Sequence, residues 1–216
     1  LNTKNTEKEK YTSLYSGKLH EIYMSFDLRG QTDGGYGRAN WGENIMPLLN
    51  DKKAKSIIDY GCGYGKFCDL ATQSINKVYG LDIASVATGN IIDNDKITFL
   101  DGNGTAIDLP DNEVDWVTSF DCLEHIAEAD LNTVLQEFDR VSTKGFALSV
   151  TFSPDSIGNF EWTNPLTNNN EPCILHLTVK PKEWWIGKLS NYGKVYEHGL
   201  VPDQDYGQVP YIIVEK

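Results

Sequence analysis

The sequence predicts an α/β fold: a doubly wound, mostly parallel sheet in a single domain. Three observations carry that reading. Short apolar runs recur, each closing on an acid: Ile57-Ile58-Asp59, Val78-Tyr79-Gly80-Leu81-Asp82 and Ile97-Thr98-Phe99-Leu100-Asp101. Runs of this length bounded by glycine or turn residues suit buried parallel strands. Between later strands, Leu131, Val134, Leu135, Phe138 and Val141 recur at helical spacing. Directly after the first run, Gly61, Gly63 and Gly65 stand at alternate positions before a segment that reads as a helix, Lys66 to Gln73. Strand–helix alternation places helices on both faces of a parallel sheet. Its ligand then lies beyond the strand C-termini, at the switch point.

Residues 1–53 read as an N-terminal cap or lid segment. Leu1 to Lys10 is polar and expected to fray, and Asp27 to Trp41 is a glycine-rich loop. Glu43 to Leu49 reads as a short helix leading into the first strand, and the domain proper runs from 54 to 216. Glycine permits the sharp turn and the close ligand approach that the Gly61–Gly65 loop needs. A helix N-terminus beyond it offers unpaired N–H groups to an anion. The loop therefore reads as the cradle of a nucleotide-like cofactor. The dinucleotide fingerprint is G-x-G-x-x-G, whereas the spacing here is G-x-G-x-G with Asp59 two residues before the first glycine. An acid there repels a pyrophosphate but suits an ammonium group. Acid plus bare N–H groups fits the amino-acid end of S-adenosylmethionine.

On these residues the sequence resembles the class I (Rossmann-like) S-adenosylmethionine-dependent methyltransferases, whose first motif is similar to Asp59-Tyr60-Gly61-Cys62-Gly63-Tyr64-Gly65. The resemblance implies S-adenosylmethionine as cofactor and S-adenosylhomocysteine as product. It assigns contacts to Asp59, Gly61, Cys62, Gly63 and Gly65. Asp82 lies about 20 residues past the glycines, where an acid meets a ribose diol, and Ile83 follows beside it. By the same resemblance Asp101 takes the adenine amine, with Gly102 or Asn103 beside the ring. The link from Gly102 to Leu109 is longer than usual, which opens Asn103 or Thr105 as alternatives. Phe120 closes a fourth strand, Val114 to Phe120, at the same crevice. The Leu123-Glu124-His125 tract that follows is similar to one that lies under the cofactor in this family.

Phe146 to Val150 reads as the fifth strand. Residues at about 151–175, with Ser153-Pro154, Trp162 and Asn168-Asn169-Asn170, read as an irregular insertion on the acceptor side. Pro181 to Leu189 reads as a helix. Lys194 to Glu197 and Tyr211 to Glu215 bring the strand count to seven, and the resemblance implies that they form a C-terminal antiparallel hairpin.

The net charge of -12 argues against nucleic-acid partners. No apolar run has the roughly 18 residues of a membrane span, and no signal segment is evident, so a cytoplasmic protein is expected. The four cysteines form no C-x-x-C pair. After the fifth strand the chain reads Phe152-Ser153-Pro154-Asp155, where metal-dependent catechol-type enzymes place Asp-Asn, so no metal is expected. Ser119-Phe120-Asp121-Cys122 likewise lacks the Asn-Pro-Pro-aromatic tract of nucleic-acid amino methylases. A small molecule or sugar is the expected acceptor, with a protein side chain as the alternative, and the oligomeric state is open. Methyl transfer from a sulfonium needs alignment above all, and a base where the acceptor carries a proton. The base candidates are His125 and His176, with Asp121 and His20 behind them. Tyr36, Trp41 and Trp162 are candidate pocket walls, with Trp184 and Trp185 as further aromatics. Competing readings are an aminopropyl-type transferase, a nicotinamide oxidoreductase and a non-catalytic cofactor-binding subunit.

Overall fold

The computed structural model describes residues 40–84, 89–102, 104–154, 160–163, 168–173, 175–201 and 209–216, with backbone alone at 101, 160–163 and 171–173. A 3-10 turn (Glu43–Ile45) leads into helix α1 (Met46–Asp51), strand β1 (Ser56–Tyr60), helix α2 (Lys66–Ala71) and strands β2 (Lys77–Asp82), β3 (Ile97–Asp101) and β4 (Val114–Phe120). A second 3-10 turn (Leu123–His125) precedes helix α3 (Glu128–Val141) and strands β5 (Ser142–Ser149), β6 (Phe160–Thr163) and β7 (Asn170–Cys173). Helix α4 (Lys182–Leu189) and strands β8 (Lys194–His198) and β9 (Tyr211–Glu215) complete the chain.

Seven strands form one sheet in the order β3-β2-β1-β4-β5-β9-β8. The first five are mutually parallel; β9 runs antiparallel to both β5 and β8. This is the doubly wound sheet with a terminal hairpin that the sequence predicts. The order reverses between β1 and β4, so the carboxyl ends of those strands open onto the switch point.

Each strand alternates its side chains between two cores. Ile57, Trp116, Ala147 and Ile213 face one side, with Leu49, Phe67, Cys68 and Ala71 packed on them. Ile58, Val117, Phe146, Leu148 and Ile212 face the other, against Leu131, Leu135, Phe138, Trp185 and Leu189. Trp185 is thus core. Trp184 packs at the edge of the second core under Lys180 and Lys188, whose ammonium groups lie 5.4 and 5.0 Å from its ring.

Two differences from the expected elements stand out. β5 starts at Ser142, four residues earlier than Phe146, because α3 passes into it with no loop between. The Ser142 hydroxyl donates to the Phe138 carbonyl at 2.7 Å and ends the helix while its backbone turns extended. The region at 151–175, expected to be irregular, contains a two-stranded antiparallel ribbon in which Trp162 pairs with Glu171. Phe160-Glu161-Trp162-Thr163 has the aromatic and β-branched content of a strand, and Asn168 takes a left-handed turn conformation at φ +56°. Among the described residues, no helix is long and apolar enough to cross a membrane. Of the cap segment, only residues 40–53 are described. Gly42 there lies against the Phe67 and Phe120 rings.

Candidate active site

The strand tips of β1 and β2 are joined through main chain. Gly61, Gly63 and Gly65 have φ of +78°, +52° and +93°, a left-handed backbone that other residues rarely adopt. The bend folds back onto β2: the Gly61 and Cys62 N–H groups both donate to the Leu81 carbonyl, at 2.8 and 3.0 Å. Gly63 N–H donates to the Asp82 carboxylate at 3.0 Å, and Gly65 N–H to the Cys62 carbonyl at 2.9 Å. The bare loop N–H groups anticipated from sequence are therefore largely engaged in fixing the bend.

Asp82, 4% exposed, is held on its other oxygen by the Ala84 N–H at 2.8 Å. The carboxylate thus sits at the switch point in a fixed orientation, with half-buried Ile83 between. β2 and β3 run in register, so the last residues, Asp82 and Asp101, are paired neighbours; the Asp101 side chain lies outside the described residues. Gly102 follows so close to β2 that a Cβ there would stand 2.6 Å from Leu81 Cδ2. Thr105 is half-buried; Asn103 lies outside the described residues. The link beyond is pinned to α3: Arg140 donates to the Ile107 and Leu109 carbonyls, and Glu137 accepts the Ile107 N–H.

Asp59, expected to meet the cofactor's ammonium, is enclosed behind the bend. It is 3% exposed, accepts a 2.8 Å hydrogen bond from the Thr118 hydroxyl, and has the Cys68 sulfur 4.0 Å away. Burial pushes its pKa up to about 7; Thr118 opposes the rise and the charge of Asp82 adds to it. Cys62 is buried in the first core, near Gly80. The Phe120 ring packs edge-on against Phe67 and Tyr211, at 5.0 and 5.7 Å, so it supports the crevice floor from the core side. Trp41 is half-buried, and its carbonyl accepts the Tyr211 hydroxyl at 2.6 Å. Tyr36, His20 and the Trp162 side chain lie outside the described residues.

At the tips of β4 and β5 the site is made of side chains. The two histidines singled out as bases, 125 and 176, come together with ring centroids 4.8 Å apart, edge to face. His125 Nδ1 faces the Leu175 carbonyl at 3.1 Å, and His176 Nδ1 faces the Ser153 carbonyl at 2.9 Å. A carbonyl only accepts, so each Nδ1 carries a proton there. Sequence reasoning gave Glu124 no role, yet it is wholly buried beside them. Its Oε1 accepts the Thr151 N–H at 2.8 Å, while Oε2 has no hydrogen-bond partner. Burial, with the charge of Asp121 next, pushes this carboxyl well above the usual carboxylate range. Asp121 itself sits at φ +53° and accepts the Thr151 hydroxyl at 3.1 Å. Thr178 ties the returning chain to the same turn, its N–H donating to the Glu124 carbonyl and its hydroxyl to the Ile126 carbonyl. The only sequence signal for Glu124 was an acid wedged between Leu123 and His125, straight after a buried strand.

The residues fit S-adenosylmethionine on the side of β2, where a fixed carboxylate stands beside a main-chain bend. On the side of β1 the fit requires the cofactor's ammonium to approach an enclosed Asp59. A family profile described as "Methyltransferase domain" matches residues 58–149. A demethylmenaquinone methyltransferase from Bacillus licheniformis is 28% identical over 137 residues, 60% of this chain and 58% of that protein. One from a Geobacillus species is 27% identical over 136 residues, 59% of this chain and 57% of its own length. The chain thus spans less than two thirds of these curated relatives. Among solved structures, a magnesium protoporphyrin IX methyltransferase from Synechocystis with bound S-adenosylhomocysteine superposes with a TM-score of 0.65 at 15% identity, covering 93% of this chain and 99% of that one. A Haloferax volcanii methyltransferase, solved with its activator Trm112, gives 0.63 at 18% identity over 89% and 96% of the two chains. The sheet order, the glycine bend with its strand-tip acid, and the profile over these same residues agree: residues 58–149 match a methyltransferase domain, on a fold shared with solved methyltransferases.

Proposed function

We propose that this protein transfers a methyl group from S-adenosylmethionine to a small molecule docked at the tips of β4 and β5. The observation that carries the donor half is the Asp82 carboxylate, fixed by the Gly63 and Ala84 N–H groups at the switch point, where it can accept both ribose hydroxyls. The first turn of α2 offers N–H donors to the methionine carboxylate. The acceptor half is the group of Glu124, His125 and His176 on the neighbouring strand tips. Groups there can take the proton that a hydroxyl or amine must lose as the carbon–oxygen or carbon–nitrogen bond forms and the sulfonium carbon–sulfur bond breaks. A small acceptor is supported by the net charge of -12, which disfavours nucleic acid, and by the relatives whose names specify demethylmenaquinone.

Calorimetry with S-adenosylmethionine, S-adenosylhomocysteine and NAD tests the reading. The first two should bind and NAD should not. Asp82→Ala should weaken S-adenosylhomocysteine by about 1–3 kcal/mol, the cost of leaving its hydroxyl partners unpaired. Equal affinity in the variant would remove the ribose assignment; binding of NAD alone would remove the family's chemistry from this chain.

A further inference from the structure

Glu124, His125 and His176 form a set that hydrogen bonding alone does not explain. One ligating atom of each lies within 4.8 Å of those of the other two. The Glu124 Oε2 atom is wholly buried and has no hydrogen-bond partner. A buried carboxyl oxygen left so is costly, and a cation would satisfy it. Both imidazoles give Nδ1–H to a main-chain carbonyl, Leu175 for His125 and Ser153 for His176. That second hydrogen bond is what fixes tautomer and orientation in metal-ligating histidines and leaves the Nε2 lone pair as the donor. Glu124 is oriented too, through the Thr151 N–H on its other oxygen.

We propose that Glu124, His125 and His176 hold a divalent first-row transition-metal ion at the tips of β4 and β5. Two imidazoles and one carboxylate suit manganese, iron(II), cobalt or zinc better than calcium or magnesium, which prefer all-oxygen shells. Ligands about 2.1 Å from one ion stand roughly 3–4 Å apart, so the set closes on an ion with shifts of about an ångström. Three protein ligands leave coordination positions open, as a reacting site needs. The expectation of no metal rested on the residues after β5, and this set draws on other positions.

The catalytic part of the inference rests on the methyltransferase reading and puts the ion in the place of a side-chain base. The ion binds the acceptor hydroxyl oxygen and lowers its pKa; the proton passes to solvent. The oxygen then bonds the methyl carbon as the carbon–sulfur bond breaks, and that electron pair stays on sulfur, giving the thioether.

The test is cobalt(II) titration of the full chain after dialysis against chelator, followed by visible absorption. One ion per chain is expected. Glu124→Gln, His125→Gln and His176→Gln should each weaken it tenfold or more, with S-adenosylhomocysteine affinity retained. Pulsed electron paramagnetic resonance of the wild-type protein loaded with manganese(II) should show imidazole nitrogen coupling, a readout that needs no variant to fold. Absence of a stoichiometric site, or of nitrogen coupling, overturns the proposal even where S-adenosylhomocysteine binds. Loss of S-adenosylhomocysteine binding with the metal intact overturns only the methyltransferase reading.

Discussion

At the tips of β1 and β2 the candidate surface is main chain: three glycines at positive φ, folded so that the N–H groups of Gly61, Cys62, Gly63 and Gly65 pair within the bend or with β2. Two strands along, at the tips of β4 and β5, it is side chains: a buried carboxylate and two imidazoles delivered from separate stretches of sequence. A main-chain surface tolerates almost no change in the residues that make it and is indifferent to side chains nearby. A side-chain surface depends on what packs behind each group. The two regions also touch, since a Cβ on Gly61 would stand 2.4 Å from the Cys122 sulfur. That thiol is held protonated by its enclosure first and then by the charges of Glu124 and Asp82, one from each region.

The sharpest way to break the contrast is Gly61→Ala. The positive φ costs about 1–2 kcal/mol and overpacking against Cys122 about 1–3 kcal/mol. Denaturant unfolding should show a loss near the sum, together with weakened S-adenosylhomocysteine binding. Adding Cys122→Ala should return the packing part only. A single variant as stable as the parent would mean the bend is not constrained by its main chain.

Asp59→Asn probes the acid enclosed behind that bend. Its folded pKa, about 7, lies above the ordinary carboxyl value of 3.8. The folded state therefore holds the proton more tightly than the unfolded one. Stability from this group is full below about pH 4 and is lost as pH rises to and through 7. The amide escapes that loss, so the variant should gain on the order of 4 kcal/mol at pH 8 and almost nothing at pH 4, read by denaturation at the two values. A gain independent of pH would place the effect elsewhere.

The smallest effect belongs to the backing of the side-chain region. Thr178→Val removes the hydroxyl that donates to the Ile126 carbonyl at 2.6 Å in a fully buried spot. A loss of about 1 kcal/mol is expected, and cobalt affinity should fall more than S-adenosylhomocysteine affinity. Equal loss of both would show that the two strand-tip regions are not separable.

The contrast also explains what could be read from residues alone. A main-chain cradle is written in consecutive positions, so Asp59 to Gly65 and the acid at Asp82 were legible, as was the alternation of strand and helix. The partner of Asp59 was not: Thr118 is 59 residues away and reaches it only because β1 and β4 are neighbours. Nor was the fate of the loop N–H groups, which depends on how β2 presents the Leu81 carbonyl. His125 and His176 were each singled out, but nothing local showed that they meet, because the chain between them includes α3, β5 and a ribbon. Glu124 was hidden for a different reason: an acid after a strand reads as solvated until its burial is known.

The direct passage from α3 into β5 has a further consequence. With no residue to absorb a change of phase, one residue inserted between Val141 and Ser142 must either turn the helix by about 100° or reverse which side chains of the strand point to each core. Either way Thr151 no longer meets Glu124 through its N–H. Length at that junction is therefore itself part of the chemistry.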